Sequence, residues 1–141
     1  MKNKVILALI LLVIAIGSVS ATETTGGDYK FNVPDDLEQD HSQDVNGTKE
    51  RFDSIDCHVY RKTFGKYFQQ ITITVFSHDN KEFPDYYKSY YPGGHDASLK
   101  GMDGYMALDG RDYVYSYVVD GDWVVIRTWD PYGIEGMIIA K

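Results

Sequence analysis

The chain holds a single cysteine, Cys57, so no intramolecular disulfide can form and packing must hold its 141 residues together. Beyond residue 16 no apolar run approaches the ~20 residues of a membrane-spanning helix. Positive charge is also short, since 14 lysines and arginines face 21 aspartates and glutamates, a net charge of −7. The basic residues are scattered, which argues against nucleic acid and anionic lipid surfaces as partners, because phosphate binding needs a concentrated basic face. H-E-x-x-H, C-x-x-C and G-x-S-x-G motifs are missing, as is a glycine-rich phosphate loop. His41, His58, His78 and His95 are too widely spaced to define a metal site. No cofactor and no metal is expected.

What is present begins at the N terminus. Lys2 and Lys4 precede an unbroken apolar run from Val5 to Ile16, followed by Gly17-Ser18-Val19-Ser20-Ala21. A basic start, a short apolar stretch and small residues at Val19 and Ala21 form a secretory signal with cleavage after Ala21. Residues 1–21 are therefore expected to be a signal peptide and 22–141 a single extracellular domain, secreted or held at the cell surface. A retained anchor is the alternative, for which the run is short. Loss of Lys2 and Lys4 takes the balance to 12 basic against 21 acidic residues, a net −9. Asn46-Gly47-Thr48 is an N-glycosylation sequon, with Asn46 the acceptor.

Periodicity supplies the elements. Tyr29, Phe31 and Val33 alternate with polar residues in a strand closed by Pro34, and residues 35–49 read as a polar loop. Runs at Phe52–Arg61 and Tyr67–Ser77 form an antiparallel pair, with Cys57 buried between Ile55 and Val59 as a small hydrophobe. The stretch "DYYKSYYPGGHD", from Asp85 to Asp96, predicts a two-turn helix that begins at Pro84 and stops at Pro92-Gly93-Gly94. Asp-Gly pairs then punctuate a meander of Gly104–Leu108, Arg111–Val119 and Asp122–Trp129.

The last turn of the meander allows two registers. Three turn residues would place Tyr113, Tyr115 and Tyr117 on one face with Trp123, Val125, Arg127 and Trp129, pairing like with like across the strands. Two turn residues would shift the pairing by one and mix the sets. Asp130-Pro131 opens a closing helix over Ile134, Met137 and Ile138, with a strand "MIIAK" as the alternative. The order of elements predicts an α+β fold: an antiparallel sheet of about five to six strands with one or two short helices packed on it.

Functional signals are few. "SQDVNGTKERFD" places Asp44, Asn46 and Gly47 at the third, fifth and sixth positions of a calcium loop, but Ser42 and Asp53 do not fit its ends, which leaves an acidic solvated loop. The excess lies in aromatics: 12 tyrosines, 6 phenylalanines and 2 tryptophans. Such rings offer stacking area with a polar tip, suited to sugars and protein surfaces. The leading expectation is a non-enzymatic exported domain that binds a cell-surface protein or polysaccharide through Tyr113, Tyr115, Tyr117 and Trp123, or through Tyr86, Tyr90 and His95. Core lining is the competing role for the same rings. Two further readings are a small hydrolase using His95 with nearby carboxylates, and a purely structural surface module.

The segments "MKNKVILALILLVIAIGSVSA", "FNVP", "ITITVF", "KGMDGYMALDGRDYVYSYVVDGDWVVIRTWD" and "IEGMIIAK" together resemble a group of small secreted proteins of methanogenic archaea. That resemblance implies export and a compact α+β domain, and it brings no catalytic residue with it. The element order alone is similar to the PsbP/Mog1 architecture, a sheet flanked by helices.

Overall fold

The computed structural model describes residues 21–139, so the signal peptide expected over residues 1–21 lies, apart from Ala21, outside the described residues. Ten strands account for most of the described chain. Strands β1 (Ala21–Gly26) and β2 (Tyr29–Pro34) form a separate antiparallel hairpin. The main sheet has eight antiparallel strands: β3 (Glu38–Gln39), β4 (Val45–Phe52), β5 (Ile55–Lys66), β6 (Gln69–His78), β7 (His95–Leu99), β8 (Met102–Asp109), β9 (Asp112–Val119) and β10 (Asp122–Thr128). Its order runs β3-β5-β6-β10-β9-β8-β7, with β4 also paired to β5. Among the described residues helical structure is confined to single turns: α1 (Tyr87–Tyr90), α2 (Ile134–Met137) and two short 3-10 turns.

This corrects the α+β expectation. The chain is mostly β, with more strands than the about five to six foreseen and no helix longer than one turn among the described residues. The difference comes from β1, the two-residue β3, β4 and β7, whose side chains are mainly exposed and therefore show no apolar alternation. These strands are held by ladder hydrogen bonds and lie at sheet edges, where a polar sequence also discourages pairing with other chains. The expected two-turn helix shrinks to α1, in which the amides of Tyr90 and Tyr91 bond back to the carbonyls of Tyr86 and Tyr87. So short a helix has no stability of its own.

The turn at Asp120-Gly121 decides the faces. Both residues have positive φ, 51° and 80°, as a two-residue type I′ turn requires, and Asp122 pairs with Val119. The three-residue register is thereby excluded. Tyr113, Tyr115 and Tyr117 share a face with Val124, Ile126 and Thr128, while Trp123, Val125 and Arg127 point to the other side with Val114, Ser116 and Val118.

On the tyrosine face, Phe64, Ile71, Ile73, Val75, Tyr115, Tyr117, Val124 and Ile126 pack with Tyr29, Phe31 and Val33 of the hairpin and with Ile134, Met137 and Ile138 near the C terminus. A bridge between Phe31 and Ile138 closes this cover. Asp130 caps the last segment by accepting from the Tyr132 amide at 3.0 Å, as the Asp-Pro pair predicts. On the opposite face, Ile55, Cys57, Val59, Val114, Trp123 and Val125 pack with Phe83 and Tyr87 of the segment between β6 and β7.

Tyr115 crosses a neighbouring strand. Its hydroxyl reaches the carbonyls of Met102 and Ala97, the latter at 3.3 Å, so one side chain of β9 ties β8 and β7. Gly104 leaves the passage open, because a Cβ there would stand 3.0 Å from the Tyr115 phenol and 2.3 Å from the Ser116 carbonyl oxygen. Tyr29 ties the hairpin down in a similar way, donating to Asp122 at 2.7 Å. The same carboxylate contacts His78 Nδ1 at 2.6 Å and accepts from the His78 amide at 2.9 Å.

Two outcomes follow from these buried phenols. Tyr115→Phe should lower stability by about 1–2 kcal/mol, seen as a lower urea midpoint at unchanged m-value, because it strips buried carbonyls of their donor. Burial pushes the Tyr115 phenol up from 10.0 to about 12, and also raises those of Tyr29, aided by Asp122, and Tyr117. Above pH 10 the unfolded chain loses these protons first, so the contribution of these phenols to stability should be level below about pH 10 and fall from there to about pH 12, with the Cys57 thiol, raised from 9.0, adding a decline that begins about one pH unit earlier. Urea unfolding at stepped alkaline pH, with tyrosinate absorbance, checks this.

Candidate ligand-binding cleft

The face opposite the hairpin is only half covered. The segment from Asp79 to Gly94 returns across it, pinned where the Phe83 amide donates to the Gly121 carbonyl at 2.8 Å. Beside α1 an open cleft of about 260 Å³ remains, floored by Thr72, Thr74, Val125, Arg61 and Arg127 and walled by Phe52, Phe76, Tyr90, Tyr91 and Trp123. Strand alternation puts the floor residues together: Arg61 pairs with Thr74, Thr74 with Val125, and Thr72 with Arg127 across β5, β6 and β10.

Trp123 anchors the wall. It is 2% exposed and stacks on Phe76 at 4.8 Å with 22° between planes. Phe52 and Tyr90 meet it edge-on at 5.2 and 5.7 Å, and Phe83 lies at 6.0 Å. Its Nε1 is buried without an acceptor, a shortfall of about 1–3 kcal/mol that the ring contacts must offset. Tyr90 touches Phe52, Tyr91 and Trp123 yet stays 56% exposed, so it is the ring most available to a ligand.

The two arginines differ. Arg127 is engaged by Asp109 at 2.6 Å and Asp112 at 3.6 Å. Arg61 donates through Nε to Thr74 at 3.3 Å, and no carboxylate among the described residues forms an ion pair with it. Burial raises the Tyr91 phenol above its usual range, and the nearby Arg127 pulls it back in part. A half-buried guanidinium beside aromatic walls and threonine hydroxyls can hold an anionic oxygen while a ring lies against Tyr90 or Tyr91.

The expected binding residues scatter. Tyr90 and Trp123 reach the cleft, Trp123 as its base. Tyr115 and Tyr117 are 0% and 3% exposed under the hairpin and Tyr113 is half-buried beside them, so the continuous tyrosine surface expected from the three-residue register does not form. Tyr86 is half-buried and donates to Asp53 at 3.0 Å, which raises its phenol pKa. His95 is exposed on β7, while Asp96 next to it pairs with Lys88 at 3.2 Å and so does not orient the histidine. Asn46 is exposed on β4, beside a bulge at Gly47. Among the described residues no three His, Cys, Asp or Glu side chains gather as metal ligands.

Sequence reasoning passed over Phe52, Arg61 and Arg127 as binding residues and placed Tyr91 only within the tyrosine-rich stretch from Asp85 to Asp96. The sequence marks the floor positions only as the polar side of alternating strands: Thr72 and Thr74 alternate with Ile71, Ile73 and Val75, and strand pairing then sets Arg61 and Arg127 on the same face. A wider depression of about 750 Å³ lies beside the β5–β6 turn, but its rings, Tyr67 and Phe68, stand in solvent and enclose nothing.

Trp123→Ala should cost about 3–5 kcal/mol, because it empties the centre of a ring cluster. Tyr90→Ala should cost no more than about 1.5 kcal/mol, the scale of an aromatic pair. Urea midpoints of the two variants separate the ring that builds the wall from the ring that faces the ligand. No family model, curated protein or solved structure matches this chain.

Proposed function

We propose that this protein is a non-catalytic binding domain for a cell-surface polysaccharide, with the cleft beside α1 as its site. The observation that carries this reading is the pairing of an exposed Tyr90, backed by Phe52, Tyr91 and Trp123, with a hydrogen-bonding floor of Thr72, Arg61 and Arg127. A sugar ring presents one apolar CH face and a rim of hydroxyls, which such a site matches on both counts. The rigid sheet positions the floor before binding, so little ordering is needed there.

A surface of this kind suits a chain carried outside the cell, as its N-terminal segment implies. The hydrolase reading draws less support, since His95 lies apart from the cleft and Asp96 is taken up by Lys88.

Oligosaccharides released from cell-envelope preparations should bind residues 22–141, read by calorimetry or by NMR shifts at the cleft. Tyr90→Ala should weaken binding about tenfold, the equivalent of about 1.4 kcal/mol, while the domain stays folded with a stability loss of no more than about 1.5 kcal/mol. Unchanged affinity in both Tyr90→Ala and Tyr91→Ala would sink the assignment of the cleft.

A further inference from the structure

Resting on that reading, we infer that the cleft selects a sugar unit bearing one carboxylate, a uronic acid, with Arg61 as the residue that recognises the acid. Arg127 is balanced by Asp109 and Asp112, so Arg61 contributes the uncompensated positive charge of the cleft. Its Nε is spent on Thr74, which fixes the plane of the guanidinium and leaves the Nη donors for a ligand. A carboxylate accepts from such a fork in two parallel bonds, which a neutral hydroxymethyl group cannot do.

Charge also sets the number of acidic groups. Residues 22–141 carry 12 basic against 21 acidic residues, a net −9, and a polyanionic chain would meet that repulsion along its whole length. One carboxylate within reach of Arg61 gains the local attraction with little of the long-range opposition, which salt screens beyond about 10 Å. A volume of about 260 Å³ admits a single ring rather than a run of them. The ligand is therefore a lone or chain-terminal uronic acid on an otherwise neutral glycan. Its carboxylate lies at Arg61, its ring against Tyr90, and its hydroxyls within reach of Thr72.

The test titrates residues 22–141 with the methyl glycosides of glucose and galactose and with the matching methyl glucuronide and galacturonide, by NMR and calorimetry. Each uronide should bind about tenfold or more tightly than its neutral partner. Arg61→Gln should abolish that preference, weakening the uronides about tenfold more than their neutral partners. Arg61→Lys, which keeps the charge without the fork, should retain only part of it, and guards against a folding defect in the glutamine variant. Equal affinity for acidic and neutral sugars, or a preference that survives Arg61→Gln, overturns the role of Arg61 and leaves the polysaccharide reading standing. A polygalacturonate chain binding far more tightly per residue than the methyl uronide overturns the single-charge argument. No binding by any of the four glycosides, with none by envelope oligosaccharides, removes both.

Discussion

The two-residue turn at Asp120-Gly121 is the constraint on which the rest of the molecule depends. Its positive φ angles fix the pairing of β9 with β10, and the pairing decides which side chains face which layer. The covers of both faces are also tied to this corner. Asp122 receives Tyr29 from the hairpin on one side, and the Gly121 carbonyl receives the Phe83 amide from the segment that crosses the other. A Cβ at Gly121 would stand 2.7 Å from Glu82 and 2.8 Å from His78, so the close approach of that segment also requires glycine.

The two faces then take different roles. The tyrosine face is closed by the hairpin and the C-terminal segment, and its rings serve as core. The other face is only half closed, and where cover stops the outward side chains change from aliphatic to threonine and arginine. Trp123 stands at that boundary. Below it lies a packed interior; above it, with Tyr90 and Phe52, begins a surface suited to an amphipathic ring.

Much of the central sheet was legible because buried strands must alternate. β2, β6 and β8 to β10 were foreseen close to their observed positions, as were the Asp130 cap and the burial of Cys57, whereas β5 was expected over Phe52–Arg61 and runs from Ile55 to Lys66, Phe52 ending β4 instead. Register was harder, since Asp120-Gly121 fits either turn length and like-with-like pairing pointed to the wrong one. Tyr115 and Tyr117 join Val124 and Ile126 because a phenol can bury its ring and still find a carbonyl, as Tyr115 does at Ala97. Edge strands β1, β4 and β7 left almost no trace, being held by main-chain pairing. The cleft was invisible for a related reason: Phe52, Arg61, Tyr91 and Arg127 come from distant parts of the chain and meet only through β4, β5, β6, β10 and the α1 segment.

Cys57 has a consequence beyond packing. It is 1% exposed, its thiol donates to the Glu50 carbonyl at 3.5 Å, and burial raises its pKa, so it stays protonated and shielded. With no second cysteine in the chain, its covalent structure is the same in reducing and oxidising surroundings. The fold is thus indifferent to redox potential, and crossing from one compartment to another asks no rearrangement of its bonds.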